Sequence, residues 1–219
     1  MPLAIVLTIL VVGSLIFHFL SPWTFTPIAS NWGMIDTTIS ITVAVTGIVF
    51  IAVNLFMIYA IIRYRHKEGA RAKYEPENKK LEVWLTVITI IGISAMLAPG
   101  LFVYSTLITV PEEAIEIEVV GQQWDFSFRH PGKDGQFGKV DTKLIRVENS
   151  FGIDPDDPNG HDDVLIDDAI MHIPVGKPVQ FWMRSKDVLH NFTVPQFRIK
   201  MDLVPGLESY MWLEPTKIG

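Results

Sequence analysis

Few side chains in this sequence could do chemistry, and the most distinctive of them is a single histidine. His190 lies in the run Asp187–Pro195, where Phe192 and Val194 share its face of a predicted strand. A neutral imidazole is a good ligand for a transition metal, although a lone histidine on such a face is more often a core or surface residue. The chain contains no cysteine, which excludes disulfides, thiolate zinc sites, iron–sulfur clusters and a cysteine nucleophile within it.

One aromatic position and a few acids are the other candidates. Trp124 opens the alternating aromatic run Trp124–Phe128, which suits either a core stripe or an exposed indole. Asp187 and the acidic insert Asp154–Asp168 either attract a basic partner or form a solvated acidic face. Glu82 stands at the start of an apolar stretch, where a charge at the level of the lipid headgroups costs little. The sequence shows no serine-nucleophile motif and no phosphate-binding loop.

The elements that must position these residues divide the chain into an apolar half and an acidic half. Residues 1–110 carry seven Lys and Arg against five Asp and Glu, whereas residues 111–219 carry eleven against nineteen. Hydrophobic residues make up 49% of the chain, which excludes a disordered protein. The net charge of −6 disfavours nucleic-acid binding, because phosphate would be repelled.

Three apolar stretches in the first half predict membrane helices. Residues 35–62 and 83–108 exceed the roughly 20 helical residues that cross a bilayer core of about 30 Å. They predict a transmembrane helical hairpin over residues 31–110. Residues 2–20, within an N-terminal segment 1–30, form either a third transmembrane helix or a signal-like segment, and the lack of a basic N-terminal region favours the helix.

The charge of the loop between the two hairpin helices predicts the orientation of the chain. All seven basic residues of the first half lie in residues 63–80. Because cytoplasmic loops carry an excess of Lys and Arg, we expect this loop in the cytoplasm. Residues 111–219 are then expected outside, in the periplasm or an equivalent space.

After Pro111 the hydrophobic pattern changes to the period of two that is typical of β-strands. The predicted strands, separated by Gly and Pro, are Ala114–Val120, Gln122–Arg129, Lys143–Glu148, Pro178–Arg184, Val188–Val194 and Leu207–Leu213. Short strands with such turns predict an antiparallel sandwich or barrel over residues 111–219, with the acidic insert as a surface loop.

Several short motifs together carry a resemblance to a known family. They are Gly121-Gln122-Gln123-Trp124-Asp125-Phe126, Asp187-Val188-Leu189-His190-Asn191-Phe192-Thr193-Val194-Pro195, Lys200-Met201-Asp202, Pro205-Gly206 and Leu81-Glu82. Over about residues 33–219, the chain resembles subunit II of haem–copper cytochrome c oxidases. The resemblance implies a bacterial inner-membrane (or equivalent) protein with two transmembrane helices and a periplasmic cupredoxin-like β-sandwich; the third, N-terminal helix is predicted from hydropathy alone.

The resemblance also implies a function. The β domain would hold a dinuclear copper centre (CuA), accept electrons from cytochrome c and pass them to haem in subunit I, where oxygen is reduced to water with proton pumping. Trp124 would be the point of electron entry, and Asp187, which precedes the histidine, would help to bind cytochrome c. His190 would be a copper ligand.

Three further residues acquire roles in the same way. Glu82 matches the acid that opens a proton-uptake path, although the pattern around it differs from that of the family. Lys200 and Asp202 match a pair expected at the interface with subunit I. Phe126 stands where the family often has tryptophan.

The copper loop of the family is the largest departure. That loop supplies two cysteines, a second histidine, a methionine and a carboxylate, and would follow a strand such as Tyr210–Ile218, just where the sequence reaches Gly219. Three alternatives follow: a longer chain, half of a split subunit II whose other chain completes the site, or a copper-free quinol-oxidase-type subunit with a structural role. A fourth hypothesis is a membrane-anchored β domain that only binds a partner.

Overall fold

The structure, a computed structural model, describes residues 2–21, 26–71, 74, 76–166 and 170–219. Lys73 of the basic loop, and Asp167 and Asp168 of the acidic insert, lie outside the described residues. The chain divides into a helical unit, Met1–Phe25 with Asp36–Phe102, and a β unit, Thr26–Ile35 with Val103–Gly219.

The apolar stretches fold as long helices, at the places that the hydropathy predicts. The helices are α1 (Pro2–Leu20), α2 (Gly33–Arg63) and α3 (Lys79–Ile108). At about 1.5 Å per residue, the 31 residues of α2 extend for roughly 46 Å, more than the hydrocarbon thickness of about 30 Å. Each is long and apolar enough to cross a membrane, so the described part of the chain has three such helices rather than two.

Polar side chains within these helices bond to their own backbone. The hydroxyl groups of Thr8, Thr46 and Thr86 each donate to the carbonyl one turn earlier, at 2.8, 2.7 and 2.8 Å. Such bonds satisfy the hydroxyl groups, for which lipid offers no hydrogen-bond partner. Asn78 precedes α3, and its side-chain oxygen accepts from the backbone N–H of Leu81 at 3.1 Å, which caps the helix.

The β unit contains a mixed sheet and a separate hairpin. The strands are β1 (Ile115–Gln122), β2 (Asp125–His130), β3 (Val164–Ile166), β4 (Val179–Ser185), β5 (His190–Val194), β6 (Ile199–Leu203) and β7 (Ser209–Leu213). The sheet has the order β3-β2-β1-β4-β7, and β5 pairs with β6. The prediction of an antiparallel domain is wrong for the pair of β1 and β4, which is parallel. Parallel strands need a long connection, and the chain from β1 to β4, which passes through β2 and β3, provides one.

One face of the sheet packs in a hydrophobic core. Ile117 pairs with Phe181, and Val119 pairs with Met183, across β1 and β4. All four are at most 1% exposed, and they belong to one cluster with Leu203 of β6. The alternation of β1 therefore places its apolar residues inward, as the sequence predicts.

The opposite face of the sheet is buried as well, which the alternation does not predict. Glu118 lies between Ile117 and Val119, yet is only 6% exposed. Arg129 of β2 donates to Glu118 and to the carbonyl of Gly138, at 2.6 and 3.0 Å. Segment 131–163 is thus tied to the face that strand periodicity assigns to solvent.

Local turn chemistry replaces one predicted strand. Thr142–Leu144, which overlaps the start of the predicted strand Lys143–Glu148, forms a 3-10 turn, and the Asp141 carboxylate accepts from the backbone N–H of Lys143 at 2.8 Å. The acids of the insert act in the same way: Asp157 accepts from the N–H of Lys139 at 2.8 Å, and this bond lowers the pKa of Asp157. These carboxylates order the loop that carries them.

Candidate functional site

The site forms where β5 begins, around His190. The imidazole Nε2 lies 2.7 Å from Oδ1 of Asp187, which precedes it by three residues in the turn between β4 and β5. The side chain of His190 is 13% exposed, and that of Asp187 is 32% exposed. The pair is therefore partly shielded but open to solvent on one side.

The second oxygen of Asp187 reaches a different turn. Oδ2 accepts from the backbone N–H of Gln123 at 2.7 Å, and Oδ1 also accepts from the N–H of Val188 at 2.7 Å. The hydrogen bond with His190, followed by that with Gln123, lowers the pKa of Asp187 to about 2. At neutral pH the group is a carboxylate that accepts every one of these bonds.

Trp124 projects from the turn that Asp187 holds. Gln122 pairs with Asp125, so Gln123 and Trp124 form a two-residue turn between β1 and β2. Trp124 is 91% exposed, whereas Phe128 of the same aromatic run is buried. The run is thus a core stripe only in its later residues, and the indole offers a large apolar surface to a partner.

The inner side of the His190 ring rests on β1 and on aromatic side chains. The rings of His190 and Phe126 meet edge to face with centroids 6.1 Å apart, and Phe126 continues to Phe192 at 5.9 Å. Gly121 lies against the imidazole, and a Cβ there would be 3.1 Å from both Cγ and Cδ2 of His190. Gly121 lies in one of the sequence motifs, but its contact with the imidazole is not predicted, because no local pattern shows which ring will pack on a glycine.

We expect Gly121→Ala to displace the imidazole. The new Cβ would also lie 3.1 Å from Cδ2 of Leu203, so the ring and the core leucine must both yield. Overpacking of this kind costs about 1–3 kcal/mol of stability. Thermal unfolding of the purified chain measures the cost, and Gly33→Ala, whose Cβ would meet only Ile28 Cδ1 at 3.9 Å, is the control. Equal stability of the two variants would contradict this prediction.

The structure brings three of the predicted residues together and places the other three on other elements. Trp124 in the β1–β2 turn, Asp187 in the β4–β5 turn and His190 at the start of β5 are linked by the hydrogen bonds of Asp187. Lys200 and Asp202 lie on the exposed face of β6, where Asn191, next to His190, donates to Asp202. Glu82 lies exposed in the first turn of α3, within the helical unit.

His190 has no cluster of further metal ligands around it in the part of the chain that the structure describes. Within the described ranges, no three His, Asp or Glu side chains come together as a metal-binding group. A dinuclear copper centre requires soft sulfur ligands, and residues 1–219 contain no cysteine. These residues fit one imidazole ligand of such a centre and do not fit the centre as a whole.

Similarity to known proteins extends over the whole chain. Residues 115–219 match the family described as cytochrome C oxidase subunit II, periplasmic domain. An alternative cytochrome c oxidase subunit 2 from Bradyrhizobium diazoefficiens is 54% identical over all 219 residues, and the chain spans 79% of it. Cytochrome c oxidase subunit 2 from Cereibacter sphaeroides is 26% identical over 204 residues, which cover 88% of this chain and 65% of that protein.

A solved structure is also similar. The periplasmic domain of subunit II of cytochrome oxidase from Bradyrhizobium japonicum aligns at 25% identity with a TM-score of 0.33. The alignment covers 51% of this chain and 70% of that one.

Apolar helices of membrane-spanning length and a match to a periplasmic domain define a membrane-anchored protein with a periplasmic β domain. The chain belongs to the cytochrome c oxidase subunit II family. The family expected from the motifs is confirmed, and with it membership of an oxidoreductase complex. The copper-free alternative gains no support.

Proposed function

We propose that this chain is the electron-receiving subunit of a bacterial respiratory oxidase. It accepts electrons from cytochrome c and passes them to haem in subunit I, where oxygen is reduced to water with proton pumping. The observation that carries the proposal is the position of Trp124: an indole that is 91% exposed, on a turn bonded to the carboxylate that holds His190. Exposed tryptophan side chains are common centres of binding energy at protein interfaces.

The acidic β domain suits a basic electron donor. Residues 111–219 carry eleven Lys and Arg against nineteen Asp and Glu, so their field attracts a positively charged partner. Such steering raises the association rate and weakens with added salt. Asp187 lies beside the exposed indole and adds its charge to this face.

His190 is our proposed copper ligand within this chain. Nε2 is engaged by Asp187, and no hydrogen bond from the described residues reaches Nδ1. Metal-binding histidines commonly donate their other N–H to a carboxylate in this way. When bound, a CuA centre would supply a one-electron relay; its sulfur ligands must come from outside residues 1–219, which contain no cysteine. We also propose a cupredoxin-like fold for the β domain, which the resemblance to the family implies.

The remaining roles are proposed from the positions of the residues in the chain. Within residues 1–30, α1 is a membrane helix; within residues 31–110, α2 and α3 form a hairpin in the inner membrane with loop 63–80 in the cytoplasm; residues 111–219 belong to the external domain. Glu82, at the end of α3 that follows this loop, opens a proton-uptake path. Lys200 and Asp202 face subunit I from β6.

Trp124→Ala tests the proposed function. Truncating an interface tryptophan costs about 2 kcal/mol, so we expect kcat/KM of the oxidase for cytochrome c to fall about 30-fold. The side chain is exposed, so haem content and thermal stability of the complex should not change. Val147→Ala, at another exposed position of the β unit, is the control. Normal turnover with cytochrome c in the Trp124 variant would refute the assignment.

A further inference from the structure

The first two helices form a groove that the sites described above do not use. It has a volume of about 590 Å³ and lies between residues 14–19 of α1 and residues 39–51 of α2. Its lining residues recur every three or four positions, so each helix contributes one face. The volume falls in the range of about 300–1,000 Å³ that is usual for small-molecule sites.

The groove is polar at one end and apolar along the rest. Ser14, His18 and Ser40 line the end where α1 finishes and α2 starts. Phe50 and Ile51 line the other end, roughly 16 Å further along α2 at about 1.5 Å per residue. That length is about half of a bilayer core of about 30 Å. In the proposed orientation, the polar end therefore lies near the head groups of the outer leaflet and the apolar end near the centre of the bilayer.

The middle of the groove is open. Gly47 lines it, and a Cβ on this glycine would have no atom of the described residues within 4 Å. A helix about 10 Å in diameter would occupy roughly 1,300 Å³ over the same length, more than twice the volume of the groove. An extended hydrocarbon chain is much narrower. The groove therefore suits the chain of a lipid better than a helix of another subunit.

We propose that this groove binds one phospholipid of the outer leaflet, with an acyl chain along Gly47 and the polar head beside His18 and Ser40. A phospholipid has the single polar end and the long apolar chain that the groove requires. The hydroxyl and imidazole groups can donate hydrogen bonds to its phosphate or ester oxygens. The inference rests on the proposed placement of α1 in the membrane and is independent of electron transfer.

The full chain tests this site after incorporation in vesicles of phosphatidylethanolamine and phosphatidylglycerol that also contain ubiquinone. After extraction in a mild detergent, native mass spectrometry measures the fraction of the chain that retains one phospholipid. Gly47→Leu places a side chain in the open space, so we expect the ratio of lipid-bound to lipid-free chain to fall about tenfold, or about 1.4 kcal/mol. His18→Leu removes a polar group at the end of the groove, and we expect the same ratio to fall about tenfold.

Gly92→Leu is the matched control, because Gly92 lies in α3, does not line the groove and also has no described atom within 4 Å of a Cβ. This variant should retain lipid as the parent does, and circular dichroism should show the same helix content in all variants. A parent that retains no phospholipid, a phospholipid that survives Gly47→Leu, or bound ubiquinone in its place would overturn the proposal. A lipid-free dimer would also overturn it, since a second copy would then fill the groove.

The readout does not involve cytochrome c. Normal turnover of the Trp124→Ala variant would therefore refute the proposed function and leave the lipid site standing, whereas loss of the lipid site would leave the proposed function standing.

Discussion

Arg129→Met should lower the free energy of unfolding of the β unit by about 3–5 kcal/mol, because it leaves the buried Asp163 carboxylate without its cation and removes one of the two cations that pair with Glu118. Arg129 Nε lies 2.6 Å from Glu118, and Nη1 lies 3.0 Å from Asp163. The side chains of Arg129, Glu118 and Asp163 are 4%, 8% and 1% exposed. Arg184 also bonds to Glu118 and remains in the variant, so Asp163 suffers the larger loss.

Urea unfolding of the purified chain, followed by tryptophan fluorescence, measures the effect. Arg146→Met is the matched control: its side chain is exposed and, among the described residues, donates only to the carbonyls of Lys143 and Ile145, so its loss should cost no more than about 0.5 kcal/mol. A similarly small loss in the free energy of unfolding of the Arg129 variant would show that water reaches the charge cluster of Arg129, Glu118 and Asp163. Segment 131–163 would then not bury it.

The cost of the Arg129 variant should also depend on pH. Burial raises the pKa of Asp163, against the lowering effects of the Gly138 N–H and Arg129. Removing Arg129 raises that pKa further. An acid whose pKa is higher in the folded state binds more protons when folded, so its contribution to stability rises as pH falls through the folded pKa. The difference between variant and parent should therefore narrow on acidification, and a constant difference would contradict the assignment to Asp163.

This charge cluster shows where reasoning from the sequence stops. Strand periodicity correctly places Ile117 and Val119 in the core, but it assigns Glu118 to solvent. The partners of Glu118 are Arg129, eleven residues later, and Arg184, 66 residues later. Which segment folds over the second face of a sheet depends on tertiary contacts that no local period encodes.

The helices and strands also divide into those that the local sequence predicts and those that depend on tertiary contacts. The length of the apolar stretches predicts the membrane helices to within a few residues. In lipid the backbone N–H and C=O groups must bond within the segment itself, and a helix satisfies them. Lys143–Glu148 alternates like a strand, yet Asp141 caps a turn there, and the short strand Val164–Ile166 lies inside the predicted acidic loop. Capping by Asp141 and the pairing of β3 with β2 outweigh the weak preference of a few residues for strand or loop.

The candidate site could be predicted in part. The motifs single out Trp124, Asp187 and His190, and the structure brings all three together. The bond between Asp187 and the Gln123 N–H, and the contact of Gly121 with the imidazole, could not be predicted. Both depend on the register of β1 with β4, a pairing that the sequence pattern does not reveal.

Trp32 provides the second large effect, because the linker between α1 and α2 is built into the β unit. The backbone of Ala29 bonds to Gln196 and Thr216, each at 2.8 Å, and Asn31 pairs with Glu214. Trp32 follows, fully buried, with its indole N–H donating to the Trp212 carbonyl at 2.9 Å. The two indole rings meet at 67° with centroids 4.9 Å apart.

Trp32→Ala should therefore destabilise the β unit by about 3–5 kcal/mol, through an internal cavity and an orphaned carbonyl. Trp32→Phe is the control, since it keeps an aromatic ring in the core, loses the indole N–H and one ring, and should cost a smaller part of that energy. Tryptophan fluorescence reports less directly when a tryptophan is removed, so far-ultraviolet circular dichroism in urea is the measurement. A loss below about 1 kcal/mol for the alanine variant would show that segment 26–35 is only loosely attached. The expected loss would establish that this linker, far from Val103–Gly219 in sequence, is a structural part of the domain that presents Trp124 and His190.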